Sequence, residues 1–180
     1  QFRDRVAQNA IYRQLNPLIE KRYIKDSYAC RVGYGTHAAI DRLQDWMRQT
    51  ERKPGKYYYL KLDVSKYFYR IDHEILKDIL ARQIKDKQLL ELLGKIIDCE
   101  DTKFGLPMGA DIGDVAFEEM LDGVGLPIGN LTSQMFANLY LNELDQYCKH
   151  KLGIRYYIRY MDDIIILLND KKQLEIIKRC

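Results

Sequence analysis

The segment Tyr160-Met161-Asp162-Asp163 places two adjacent carboxylates between an alternating run, Ile-Arg-Tyr-Tyr-Ile-Arg at 154–159, and an almost wholly apolar one, Ile-Ile-Ile-Leu-Leu at 164–168. Two strand-like runs parted by so short a polar interruption predict a β-hairpin whose turn carries both acids. Neighbouring carboxylates repel. At a constrained turn between apolar strands that repulsion is costly unless a cation lies against them, and a divalent metal is the natural neutraliser. The alternative is a solvated pair, since Asp is an ordinary turn residue. A third carboxylate at a strand end, a phosphate-friendly loop and a nucleic-acid surface would separate the two readings.

Residues 57–64 supply the third acid. Tyr58, Leu60, Leu62 and Val64 fall on one face of a period-two pattern, and Tyr57, Tyr59, Lys61 and Asp63 on the other. Asp63 thus ends a strand on its polar side, and in an antiparallel sheet it can meet Asp162 despite the distance in sequence. Carboxylates converging at a strand-end cleft suit a pair of Mg²⁺ ions, which prefer oxygen ligands and keep sites for water and phosphate oxygens. Such a pair, about 3.5–4 Å apart, activates an attacking hydroxyl and stabilises a leaving pyrophosphate.

The elements that must hold these acids read as helices around a small sheet. Val6, Ala10, Ile11 and Leu15 have helical spacing, with an end or restart at Asn16-Pro17. Thr36 reads as the cap of a helix with Ala39, Ile40, Leu43, Trp46 and Met47 inward. Ile71-Asp72 reads as the staple and N-cap of a helix bearing Ile75, Leu76, Ile79 and Leu80, followed by a helical run over 89–97. Gly105-Leu106-Pro107-Met108-Gly109 echoes Gly125-Leu126-Pro127-Ile128-Gly129. Only the second copy leads into a helix, over 131 to about 148 with Met135, Leu139 and Leu144 inward; the first reads as loop, not as a repeat. Asn169-Asp170 caps a last helix. The predicted class is α+β: three antiparallel strands backed by helices on one face, with the face bearing Asp63 and the acidic turn left open.

Composition narrows the function classes without choosing among them. Hydrophobic content of 47% and charged content of 31% fit a soluble globular chain, and 29 Lys+Arg against 26 Asp+Glu give a net charge of only +3. The 14 tyrosines suit stacking on bases or filling a sheet. Cys30, Cys99, Cys148 and Cys180 have no paired spacing, which excludes a zinc motif and leaves a reducing cytoplasm as the expected setting. No apolar run approaches a membrane span. His37, His73 and His150 show no partner spacing, and none is assigned as a general base.

Three segments together carry a family resemblance. Asp63-Val64-Ser65-Lys66-Tyr67-Phe68, Leu126-Pro127-Ile128-Gly129-Asn130-Leu131-Thr132-Ser133-Gln134 and Tyr160-Met161-Asp162-Asp163 resemble, in type, order and spacing, the palm motifs of reverse transcriptases. Arg3-Asp4-Arg5 and Ser27-Tyr28-Ala29-Cys30-Arg31 resemble finger-side segments of the bacterial group II intron branch. Where that branch usually has Pro-Gln-Gly and Ser-Pro, this chain has Pro127-Ile128-Gly129 and Ser133-Gln134, a variant similar to the enzymes of diversity-generating retroelements.

The resemblance implies a polymerase palm over 56–180, part of the fingers over 1–55, and a thumb and finger hairpin lying outside this sequence, so that residues 1–180 alone polymerise poorly. It implies an RNA template, a DNA or RNA primer, dNTPs and two Mg²⁺ ions for which Mn²⁺ can substitute, with a small basic accessory protein in the retroelement systems. The metal ligands it implies are Asp63, Asp162, the weaker Asp163 and the Val64 carbonyl. Phe68 falls at the sugar 2′ position, where a ring would reject a ribonucleotide; the alternative is a core aromatic. Ile128 replaces an amide near the nascent pair, relaxing discrimination that rested on a hydrogen bond. Gly129 allows close backbone approach to nucleotide or template, or is a plain helix-start turn. Gln134 reaches the minor-groove edge, and Met161 lies under the primer's terminal sugar or packs the hairpin. Arg31 holds template phosphate or is a solvated loop cation, while Arg155 and Arg159 read as surface or sheet-edge charges. Rival readings are an intron maturase or another bacterial reverse transcriptase, a catalytically inert RNA-binding palm, and a nucleotidyl cyclase, whose glycine-rich acidic turn is missing.

Overall fold

The computed structural model describes residues 2–98 and 102–177. Cys99 and Cys180 lie outside them. The chain divides into two compact units, Gln1–Lys21 with Ser65–Tyr140 and Arg22–Val64 with Leu141–Cys180.

That second unit holds the sheet. Strands β1 (Tyr58–Asp63), β2 (Tyr156–Tyr160) and β3 (Asp163–Leu168) are antiparallel in the order β1-β3-β2. β3 is central and pairs Leu60 with Ile166 and Asp63 with Asp163 on one side, and Tyr160 with Asp163 on the other. Burial alternates along β1 as the period-two reading requires, Leu60 and Leu62 turned inward and Tyr59, Lys61 and Asp63 outward. One face packs Ile164, Ile166 and Tyr157 with Ile24, Cys148, Ile154 and Leu174. Ile164 and Ile166 are each 1% exposed, worth about 2 kcal/mol apiece in transfer free energy.

The opposite face is not open as expected. Helix α2 (Thr36–Glu51) lies over it, its Trp46 buried with Tyr156, Ile158 and Leu167. Apolar residues at both parities of β2 give the sheet two sides to cover, and α2 has an indole to bury. The outer edge of β2 is also closed: Arg159 N donates to the Asp26 carbonyl at 3.0 Å, and Tyr28 N donates to the Arg159 carbonyl at 2.9 Å.

In the first unit, α1 (Phe2–Glu20) runs on through Pro17. The expected break fails because burial of Leu15 and Ile19 on either side offsets the one main-chain hydrogen bond that Pro17 forfeits. Asp72 caps α3 (His73–Ala81), accepting from Ile75 N at 2.9 Å, and α4 (Lys87–Asp98) follows. The two Gly-Leu-Pro segments lie against the same stretch. Leu106 N donates to the Tyr69 carbonyl at 3.2 Å and Leu126 N to the Phe68 carbonyl at 2.7 Å, with both leucines buried. A Cβ at Gly125 would stand 2.5 Å from the Phe104 carbonyl carbon, so the copies are paired structurally rather than merely alike.

Helix α5 (Leu131–Gln146) starts in this unit and ends in the other, closing in a π turn at Tyr147–Lys151. Met135 and Leu139 are buried as expected; Leu144 is exposed, and Asp145 is buried in its stead. Asp170 caps α6 (Lys171–Ile177).

Candidate active site

Asp63 is the last residue of β1, and its register partner on β3 is Asp163. Tyr160 and Asp163 close the hairpin, leaving Met161 and Asp162 as a two-residue turn. Met161 has φ 53°, a left-handed conformation that a side chain without Asn-like local bonding adopts at a cost of about 1 kcal/mol or more. Asp162 is therefore presented by a tight, strained tip.

Its carboxyl is pushed above the usual carboxylate range. Withdrawal from water is the main cause, opposed by a hydrogen bond from its own backbone amide; the charges of Asp63 and Asp163 raise it further, and Arg159 counteracts them. The three acids thus sense one another. They are not equivalent: Asp163 Oδ1 is 3.1 Å from Lys61 Nζ, so the third acid already has a cation.

Among the described residues no group of three or more His, Cys, Asp and Glu is gathered as a ready-made cage. The donor chemistry nonetheless fits Mg²⁺, which is held by one or two carboxylates together with substrate phosphates and water. Asp63 and Asp162 are hard oxygen donors that repel each other, with Val64 next along the chain. A cleft of about 210 Å³ beside the tip is lined by Lys61, Tyr160 and Asp163 on the sheet and by Thr36, Ile40 and Leu43 on α2.

The remaining expected residues divide between the units. Val64, Met161 and Arg31 share the unit of the acids; Phe68, Ile128, Gly129 and Gln134 belong to the other. Phe68 is half-buried in a 3-10 turn, Tyr67–Arg70, its ring 5.8 Å from that of Tyr67 in an edge-on contact. Ile128 is 63% exposed, and Gly129 has φ 95°, a conformation that suits glycine, just ahead of α5. Gln134 is half-buried in the first turn of α5.

Two arginines differ from their expected roles. Arg31 Nη1 donates to the Ser27 carbonyl at 2.6 Å and the Ile24 carbonyl at 3.0 Å, and the guanidinium lies 3.8 Å from the Tyr34 ring centroid. These contacts fasten the 24–34 loop. Arg159 is 0% exposed, not a surface charge. Its Nε and Nη2 grip Asp145 at 2.7 and 2.6 Å, and Nη1 donates to the Met161 carbonyl at 2.8 Å. Tyr157 Oη donates to Asp145 at 2.7 Å, and its pKa is raised, first by burial and then by Asp145.

Asp145 and Tyr157 escaped the sequence reading. The available signal was helical spacing, since Asp145 stands four residues after Leu141 and three before Cys148, both buried. Of the histidines, His73 is buried, with Nε2 2.6 Å from the Gly125 carbonyl and Nδ1 3.2 Å from Asp98. It ties α3 to the second Gly-Leu-Pro segment.

Comparison with known proteins gives a consistent picture. The family described as reverse transcriptase (RNA-dependent DNA polymerase) matches residues 1–180. Protein YkfC of Escherichia coli (strain K12) is 28% identical over 146 residues, covering 81% of this chain and 35% of that protein. The putative COX1/OXI3 intron 2 protein of Saccharomyces cerevisiae is 24% identical over 149 residues, 83% of this chain and 16% of its own. Nuclear intron maturase 1, mitochondrial, of Arabidopsis thaliana is 24% identical over 102 residues, 57% and 14% respectively. Among solved structures, apo telomerase from Candida tropicalis superposes with a TM-score of 0.67 at 13% identity, covering 96% of this chain and 33% of that one. At that identity the likeness speaks for the fold. The chain spans about a third or less of the length of these relatives.

Proposed function

The chain belongs to the reverse transcriptase family, and on that premise we propose that it forms the nucleotidyl-transfer core of an RNA-directed DNA polymerase. The observation that carries this is the placing of Asp63 and Asp162, distant in sequence, within electrostatic reach at one end of a three-stranded sheet. Asp63 and Asp162 hold Mg²⁺, with the Val64 carbonyl as a backbone ligand and Asp163 as an accessory acid. When bound, Mg²⁺ lowers the cost of charge developing on the primer oxygen and the leaving pyrophosphate.

The chain's own residues do the rest. Met161 supports the primer's terminal sugar. Gly129 lets the backbone approach the incoming nucleotide, Gln134 contacts the duplex edge, and Phe68 excludes a 2′-hydroxyl. RNA template, primer and dNTPs are the partners. No described helix is long and apolar enough to cross a membrane.

Two roles compete within this activity. Ile128, where an amide is usual, supports the enzyme of a diversity-generating retroelement, working with a small basic accessory protein and relaxed pairing at template adenines. The intron protein and maturase among the relatives support an intron-encoded role. Primer extension by the complete protein on an RNA template, with dNTPs and Mg²⁺ and with Asp63→Ala and Asp162→Ala as controls, tests the shared reading. Extension unaffected by either change would end it. Misincorporation concentrated opposite template adenines, and reduced by Ile128→Gln, favours the retroelement role; uniform fidelity with stimulated intron splicing favours the maturase.

A further inference from the structure

Arg159 is the largest fully buried side chain among the described residues, and it lies two positions before the strained Met161. Acceptors hold it on several sides. Nε and Nη2 make a fork onto both oxygens of Asp145, Nη2 also reaches Ser27 Oγ at 3.2 Å, and Nη1 donates to the Met161 carbonyl. Asp145 is itself 0% exposed and takes a further hydrogen bond from Tyr157 Oη. The main chain of Arg159 is pinned too, by Asp26 and Tyr28.

A buried ion pair is weak grounds for stability, because the desolvation of two charges offsets most of their attraction. A hydrogen-bonded fork does fix direction, since guanidinium is planar and its donors have set angles. The direction fixed here is that of one peptide plane. The Met161 carbonyl and the Asp162 amide belong to the same planar group, which also contains the Asp162 Cα from which the carboxylate springs. Holding the carbonyl therefore holds the Asp162 Cα, and with it the direction in which the carboxylate leaves the main chain. The left-handed Met161 needs such a restraint, because strained backbone persists only where its surroundings over-determine it.

We propose that Arg159, locked by Asp145 and Tyr157, is a positioning residue that aims the Asp162 carboxylate by fixing the Met161–Asp162 peptide plane. The inference rests on the polymerase reading of Asp162. It extends that reading to a residue that touches neither nucleotide nor metal.

The test uses the complete protein with three variants. Arg159→Lys keeps the charge and loses the fork. Asp145→Leu with Tyr157→Phe and Arg159→Met replaces the whole network with apolar groups of similar size, a change that need not lower stability. Asp162→Ala reports on the site itself. Three quantities are measured: thermal unfolding, single-turnover nucleotide addition at varied dNTP, and Mn²⁺ binding by electron paramagnetic resonance in the presence of primer-template and a nonhydrolysable dNTP.

The triple variant is expected to unfold close to the wild-type temperature, to add nucleotide about 100-fold more slowly at saturating dNTP with dNTP affinity little changed, and to bind Mn²⁺ about tenfold more weakly. Arg159→Lys is expected to fall between. A folded triple variant with wild-type rate and Mn²⁺ affinity overturns the positioning role while leaving the polymerase reading intact. If that variant does not fold, Arg159→Lys decides by the same two readouts. Extension that survives Asp162→Ala overturns the reading of the site and the positioning role with it.

Discussion

Lys61 Nζ stands 3.1 Å from Asp163 Oδ1, so the cation two residues before Asp63 on β1 neutralises the third acid of the site. Both side chains are about half exposed, and an ion pair of that kind contributes about 0–1 kcal/mol. Its larger effect would fall on the affinity for a metal held by Asp63 and Asp162. Lys61→Gln is expected to leave the unfolding free energy within about 0.5 kcal/mol and to lower the half-saturating Mg²⁺ in primer extension by about two- to threefold. A higher Mg²⁺ requirement would show that Lys61 acts on the substrate instead.

The raised carboxyl of Asp162 gives a stability prediction with a definite sign. A carboxyl whose folded pKa lies above its unfolded value binds a proton more readily in the folded state, so stability falls as pH rises through the raised value. In metal-free buffer, Asp162→Asn is expected to unfold at a higher temperature than wild type at pH 8. The gap should close toward pH of about 4, where the unfolded carboxylate also protonates. Wild type outlasting the Asn variant at pH 8 would contradict this. Activity and metal-free stability thus oppose each other at this residue.

Phe68 separates two roles by measurement. With the ring only half-buried, Phe68→Val should raise ribonucleotide incorporation relative to deoxynucleotide by about tenfold or more while costing about 1–2 kcal/mol of stability. Loss of stability with unchanged sugar selectivity would assign the ring to packing against Tyr67 alone.

Gly125 faces backbone, with φ 91° and no room for a methyl group beside Phe104. Gly125→Ala is expected to destabilise the protein by about 3 kcal/mol, read as a lowered urea midpoint. Gly113→Ala, with nothing within 4 Å of the added carbon, should stay within about 0.5 kcal/mol and serves as the control. Equal effects from the two changes would refute the paired packing of the Gly-Leu-Pro segments.

Burial pushes the Cys148 thiol up to about 11, with Asp145 adding to the shift and Lys149 opposing it. At pH 8 its alkylation by iodoacetamide in the native protein should be about 100-fold slower than in urea, as mapped by mass spectrometry. Rapid native labelling would show that the layer holding Asp145 opens in solution.

The hairpin and the strand of Asp63 were legible because both obey simple periodicities over short windows. Tyr58, Leu60 and Leu62 alternate cleanly, and Asp162 sits in the turn, while Asp163, expected there too, opens β3 because it pairs with Tyr160. Arg159 was misread by the same logic. Alternation says which residues share a face, but both faces of β2 are covered, and a buried guanidinium becomes acceptable only once Asp145 arrives from a helix with which it shares no sequence pattern. The covering of the second face by Trp46 is likewise a tertiary fact. Pro17 failed as a stop because Leu15 and Ile19, buried on either side of it, hold the helix on past the lost hydrogen bond. The Gly-Leu-Pro echo was visible, yet its flanks do not repeat, and only the fold sets the two copies side by side.

β3 is bonded along both sides, and its inward residues alternate with Asp163 at a spacing that admits no slippage. Moving β1 by one residue would turn the Asp63 carboxylate toward the core and bring Leu62 to the rim. The loop-free tip therefore behaves as a fixed ruler: a single residue inserted or deleted beside Asp63 or Asp163 turns that acid to the other face, whereas a conservative exchange of one apolar side chain for another in these strands leaves the geometry standing.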